Sequence, residues 1–185
     1  MPIHVIHFYT SVSYESCNQL KNVCLDAVRQ KAPEIHIHLS SGGGSTLYGF
    51  TLYNFIKSLP VPVTIHNLGS VESIAMIIFL AAPNRLSCSH SRFLLHSLQW
   101  DFTAATSVDH ARLREHASAL NNDMERYIDI FKERTQGAKE PIDVAACLSG
   151  NERFITAADS IKSGITHKVV DATIPKDAIN WWVNV

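Results

Sequence analysis

The sequence predicts an α/β fold built on parallel strands, and two observations carry that prediction. Short β-branched runs alternate with longer segments of three- and four-residue apolar periodicity, in the order strand, helix, strand, helix, strand, helix. Glycine and proline punctuate the changes, at Pro33, Gly42 to Gly44, Pro60, Pro62 and Pro83. Parallel strands joined by helices need right-handed crossovers, which bring the carboxyl ends of the strands to one edge, where ligands gather.

Taken in order, Ile3 to Tyr9 reads as a first strand. Tyr14 to Gln30 reads as a helix with Cys17, Leu20, Cys24 and Ala27 on one face. Ile35 to Leu39 alternates as a second strand, followed by the loop SSGGGST (Ser40 to Thr46) and a helix from about Leu47 to Leu59. Val63 to His66 is a third strand. Asn67 to Glu72 reads as a tight turn, and an apolar helix runs from near Ser73 to Ala82. Arg92 to Leu95 is a short strand ending at His96, and Leu98 to Thr106 has little periodicity.

A long helix follows over about residues 107 to 135. Leu113, Ala117, Leu120, Met124, Tyr127, Ile128 and Phe131 form its apolar stripe, opposite a charged face. Such a stripe packs on its own chain or, in the sharper form, projects and packs against another subunit. Pro141 to Leu148 is a short amphipathic piece and Glu152 to Ile155 an extended one. Thr156 caps a last helical turn that Gly164 ends, and Val169 with Val170 reads as the final strand. Residues 1–185 are expected to form one domain, without repeats or linkers.

Composition excludes several classes of function. At 46% hydrophobic and 18% charged residues, the chain can bury a core without staples. A net charge of −1 provides no basic footprint for nucleic acid. The longest apolar run, Ile74 to Pro83, is too short to span a bilayer, and MPIHVIHFY alternates like a strand instead of forming a signal peptide. Cytoplasmic localisation, away from membranes, is expected. Cys17, Cys24, Cys88 and Cys147 form no CxxC pair, so reduced thiols are expected. Ten histidines invite a metal, and His36 and His38 share one strand face, but no third ligand is arranged beside them. Neither metal nor cofactor is expected, and most of the histidines read as partly buried polar fillers.

The chemistry centres on a serine between a strand and a buried helix. A helix N-terminus offers unpaired amides and partial positive charge to an anion forming beside the hydroxyl. Ser70 or Ser73 also fits the commoner role of N-cap, with Ser70 the better cap or turn residue. The glycine run matches neither GxxxxGK[ST] nor GxGxxG, so a turn is its simplest role. Its second use is to aim an amide at a developing oxyanion. Ser73 with His96 and a later acid would make an activated nucleophile, since the hydroxyl is inert until a base accepts its proton.

Four stretches together resemble the proteolytic subunit of the Clp protease, a family of serine peptidases. They are SSGGGSTLYGFTLYN, GSVESIAM, LAAPNRLSCSHSRFLLH and NERFITAADSIKSGITHKVVD, and the resemblance runs from about Val5 to Val170. It implies a Clp protease/crotonase-like fold of repeated strand-helix units with the long helix as a protruding handle. It further implies Ser73 as nucleophile, His96 as general base and Glu152 as third member where the family has Asp, with Asn151 as a fallback. The Gly43 and Ile74 amides would be the oxyanion donors. The implied activity is that of a serine endopeptidase hydrolysing peptides or unfolded proteins inside a ring-shaped homo-oligomeric chamber, stacked heptamers being one form.

The family's partner is an ATP-driven unfoldase. This chain starts near the first core strand, without the segment that forms the axial pore, so an unfoldase partner is kept as a possibility that this start disfavours. Other departures are Glu72 where the family has a small residue, Ala75 where it has glycine, and Gly42 in place of proline. Glu72 and Glu152 favour an alternative, a catalytically weak or inactive Clp-like structural subunit. An acyl-thioester enzyme on the crotonase architecture is a third possibility, against which Ser73 and His96 argue.

Overall fold

The computed structural model describes residues 1–99 and 107–185. In chain order the elements are β1 (His4–Phe8), α1 (Tyr14–Arg29), β2 (Ile35–Ser41), α2 (Thr46–Lys57), β3 (Val63–Glu72), α3 (Ala75–Ala81) and β4 (Asn84–Ser87). They continue with β5 (Arg92–Leu95), α4 (His110–Arg134), α5 (Val144–Leu148), β6 (Arg153–Thr156), α6 (Ala157–Lys162), β7 (Lys168–Val169) and β8 (Ile179–Val183). The described strands form one sheet with the main order β6-β5-β3-β2-β1-β8, while β4 and β7 branch from β3. Every described pairing is parallel except β5 with β6. The α/β class expected from the alternation is therefore the observed one.

The strand periodicity of two decides the core. Ile6 and Phe8, Ile35, Ile37 and Leu39, and Val63 and Ile65 stand on one sheet face and are buried. Helix α3 is buried on all sides, which is why its sequence AMIIFLA carries no polar stripe. Helix α1 starts at Ser13, whose hydroxyl accepts from Ser16 N while Ser16 Oγ accepts from Ser13 N.

Three sequence expectations need correction. Asn67 to Glu72 is not a turn but the second half of the ten-residue β3. Leu39 pairs with Asn67 and Ser41 with Val71, so β3 carries extra residues in a bulge that absorbs Gly69 and Ser70. The bent strand leaves β4 and pairs with β5 through Ser70↔Arg92 and Glu72↔Leu94. Asn67, fully buried, stabilises the branch: its amide donates to Arg92 O (2.9 Å) and its carbonyl accepts from Gly69 N (3.0 Å). Second, the apolar helix begins at Ala75 and has no side-chain cap, so neither Ser70 nor Ser73 is an N-cap. Third, Val169 and Val170 do not end the sheet. Strand β8 pairs with β1 beyond them, and the short β4 also escaped notice because NRLS lacks a β-branched run.

The long helix is observed as α4. Only Tyr127 and Phe131 of its apolar stripe are buried, and from His110 to Asn122 every residue but His116 and Leu120 is exposed. Its first half therefore stands away from the sheet as a handle. Of the aperiodic stretch before it, residues 100–106 lie outside the described residues.

On the sheet face opposite the helices, His7, His38 and His66 stand in register across β1, β2 and β3. All three are buried, and His38 Nδ1 has no hydrogen-bond partner among the described residues. Burial first, then the neighbouring His7, His66 and His36, lowers the His38 pKa to about 4. The neutral form is thus favoured in the folded chain. Its stabilising contribution is complete above the ordinary value near 6.5 and is lost as pH falls from there towards 4. Urea midpoints should decline across that window, by at most about 1.4 kcal/mol per pH unit for one group, and His38→Gln should flatten the decline. An unchanged slope in the variant would remove the histidine row as the cause.

Candidate active site

The β3–α3 junction is a sharp corner with a serine at its apex. Ser73 has φ of 54°, in the left-handed region that a non-glycine residue enters at a cost of about 1–2 kcal/mol. Three elements stabilise this conformation. Ser73 N donates to Leu94 O of β5 (3.0 Å), and Ser73 O accepts from Met76 N of α3 (3.1 Å) and from the Tyr127 hydroxyl of α4 (3.0 Å).

The glycines of SSGGGST permit the corner sterically. Gly43 has φ of 91°, and a Cβ there would lie 2.7 Å from Ser73 Cβ and 2.9 Å from Glu72 O. Gly49, one helical turn into α2, allows Ile74 to seat against that helix: a Cβ would come within 2.2 Å of the Ile74 side chain. The loop is therefore a close-approach surface rather than a phosphate cradle.

Ser73 and His96 line the same open cleft of about 730 Å³, together with Gly42, Gly44, Asp123 and Arg126. The strand-end rule thus brings the glycine loop, the serine and the histidine together as expected. Among the described residues, no hydrogen bond joins Ser73 Oγ to His96. His96 Nδ1 donates to Ser97 O (2.8 Å), which places a proton on Nδ1, and Nε2 makes no hydrogen bond among the described residues. That is the tautomer a base needs, set here by a backbone carbonyl.

Among the described residues no hydrogen bond or ion pair joins Glu152 to His96. Leu95↔Arg153 is the last pair between β5 and β6, so the next antiparallel step would set Glu152 opposite His96; Glu152 is exposed and has no polar partner among the described residues. Asn151 is exposed as well. The two expected oxyanion donors differ. Gly43 N already donates to Ser41 Oγ (3.2 Å), whereas the Ile74 amide makes no hydrogen bond within the described residues.

Glu72, the unexpected acid beside the serine, is held aside. Its carboxylate accepts from Ser70 Oγ and from Arg92 Nη2 (3.2 Å), while Arg92 lies 5.0 Å from the Phe154 ring. The negative charge is matched by a guanidinium outside the cleft. No group of three or more metal-ligating side chains occurs among the described residues.

Sequence reasoning missed two features of the site. Asp123 accepts from Thr46 Oγ1 (2.6 Å) and Arg126 (3.1 Å), which ties the handle to α2 above the cleft. Tyr127 was read only as stripe, although its hydroxyl reaches the serine. No local spacing could reveal either, since both join residues far apart in the chain. The glycine contacts predict that Gly43→Ala lowers unfolding free energy by about 1–3 kcal/mol. Gly42→Ala, with no atom within 4 Å of a Cβ, should stay within about 0.5 kcal/mol. Equal urea-unfolding losses in the two variants would refute the close-approach role of Gly43.

The family model described as Clp protease matches residues 4–173. The ATP-dependent Clp protease proteolytic subunit 1 of Mycobacterium tuberculosis is 22% identical over 169 residues, covering 90% of this chain and 81% of that protein. The proteolytic subunit 3 of Rhodococcus jostii is 25% identical over 164 residues, covering 88% and 76%. A solved ClpP1 mutant from Listeria monocytogenes superposes with a TM-score of 0.76 at 19% identity, covering 91% of this chain and 92% of that one, which shows the shared fold. With nearly its whole length matched, from the first strand through the parallel sheet to the segment after β7, this chain belongs to the Clp protease family.

Proposed function

We propose that this chain is a serine endopeptidase acting within a ring of its own copies, with Ser73 as nucleophile and His96 as general base. The observation that carries this reading is the left-handed Ser73 corner opening onto the same cleft as His96, whose Nδ1 proton is already engaged. A substrate carbonyl in the cleft would be attacked by Ser73 Oγ as its proton passes to His96 Nε2. Ile74 N–H would receive the developing oxyanion. His96 would then return the proton to the leaving amine, and water would release the acyl group by the same route.

Turnover requires Ser73 Oγ and His96 Nε2 to come within hydrogen-bond reach, and resting catalytic pairs often tighten only around substrate. Glu152 becomes the third member if its carboxylate turns onto His96 Nδ1 in place of Ser97 O. The exposed first half of α4, with Leu113 47% exposed, supports burial against a second copy in a stacked ring.

The alternative reading is a structural subunit with weak or no turnover. It is favoured by the absence, among the described residues, of a hydrogen bond between Ser73 and His96 or between Glu152 and His96, and by the Gly43 amide engaged by Ser41.

Fluorophosphonate labelling of assembled protein decides between them. Wild type should label, and Ser73→Ala and His96→Ala should lose labelling by at least about 10³-fold; absence of Ser73-dependent labelling in assembled protein would leave the structural-subunit reading. Glu152→Gln should cost roughly 10-fold or more if that carboxylate orients the base, and wild-type rates in this variant would remove it from the site. Light scattering should find a multi-subunit particle, and a clean monomer would exclude the chamber.

A further inference from the structure

We infer that the Tyr127 hydroxyl is a positioning group for the oxyanion site: it holds the Ser73–Ile74 peptide plane so that Ile74 N–H faces the cleft. This rests on the peptidase reading and adds to it a residue outside the set of Ser73, His96 and Glu152.

The inference begins with covalent geometry. Ser73 C=O and Ile74 N–H belong to one planar unit, and the chain has no cis peptide among its described residues. In a trans peptide the carbonyl and the amide point in opposite directions, so whatever fixes the carbonyl also fixes the amide. Tyr127 OH donates to Ser73 O at 3.0 Å, and Tyr127 is 0% exposed. The other bond to that carbonyl, from Met76 N at 3.1 Å, comes from the first turn of the same short helix and moves with it. Tyr127 thus makes the one hydrogen bond among the described residues that ties this peptide plane to a separate element.

Two further observations give the orientation consequence. The Gly43 amide donates to Ser41 Oγ, so Ile74 N–H is the expected oxyanion donor that stands free among the described residues. A Cβ on Gly43 would lie 3.4 Å from Ile74 N, and its absence leaves the approach to that amide open. Hydrogen bonding at the carbonyl also polarises the peptide and strengthens its N–H as a donor. Burial raises the Tyr127 pKa, so the phenol remains a neutral donor across the working pH range. Because Tyr127 lies on α4, seating of the handle and aim of the oxyanion donor are mechanically linked through one hydroxyl.

Tyr127→Phe removes that hydroxyl and keeps the ring. It should lower kcat on peptide substrate by roughly 10-fold, less than deleting a whole oxyanion donor, with KM within about 2-fold. Assembly should match wild type, and the thermal midpoint should fall only by the few degrees that one hydrogen bond of about 0.5–1.5 kcal/mol is worth; Ile128→Val, a neighbour on α4 with no bond to Ser73, should keep wild-type kcat and assembly. The Ile74 amide 15N and 1H resonances should move in Tyr127→Phe and stay put in Ile128→Val. An active wild type with unchanged kcat in Tyr127→Phe, or a loss confined to KM or to the assembled fraction, overturns the inference and leaves the peptidase reading intact. If wild type shows no Ser73-dependent labelling, the peptidase reading fails by itself, and the Ile74 resonances still decide whether the hydroxyl sets the peptide plane: unchanged shifts refute it.

Discussion

The left-handed backbone at Ser73 is the constraint around which the neighbouring elements are arranged. A serine adopts φ of 54° only where surrounding contacts outweigh the steric cost. Those contacts come from β5, from α3 and from the handle helix, while Gly43 and Gly49 withdraw side chains that would block the corner. Each support is modest, at about 0.5–1.5 kcal/mol for an ordinary hydrogen bond. Together they place Ser73 on the cleft that it shares with His96 and leave the following amide without a hydrogen bond among the described residues.

A second constraint lies beneath the corner, where β3 changes neighbours. The bulge between Asn67 and Val71 bends the strand away from β4 and onto β5, and buried Asn67 satisfies the backbone groups that the split exposes. Without that branch, Leu94 O would not meet Ser73 N. Arg85 performs a comparable task at the far side of the core. Its buried guanidinium donates to Ala82 O, Arg134 O, Gly164 O and Ile165 O, carbonyls at or just past the ends of α3, α4 and α6. Helix C-termini carry partial negative charge, so one cation stabilises three of them at once. Burial, then the charge of Arg134, lowers the Arg85 pKa to about 10, which leaves it charged at neutral pH.

The electrostatics at the site follow from the same economy of contacts. Glu72 stands where a small residue is usual in the family, yet Ser70 and Arg92 engage its carboxylate along the β3–β5 ladder. The departure is therefore accommodated by the strand pairing rather than by the cleft. Glu152, by contrast, has no such engagement and remains in solvent at the start of β6. The resting site consequently has His96 oriented by Ser97 O, with Glu152 next in register but not bonded to it among the described residues.

Much of this was legible in the chain itself, because periodicity and punctuation are local. The alternation of strands and helices, the apolar character of α3, the glycine loop and the handle could all be read without coordinates, and with them the edge where Ser73 and His96 meet. The extent of β3 could not, since Gly69 and Ser70 have turn character and become strand only when β2 and β5 supply hydrogen bonds on either side. Nor could β8, whose residues INWWV depend on β1 for pairing. The contacts from Tyr127 to Ser73, from Asp123 to Thr46 and from Arg85 to three helix ends join positions many residues apart, and hydrogen bonds of that kind leave no spacing in the sequence. Residue types and their local order thus determined the class of fold and the candidate nucleophile and base. Only tertiary packing decided which backbone amide is without a partner among the described residues, which carbonyl holds the histidine, and that Glu152 makes no bond to it there, because these depend on where distant chain segments meet.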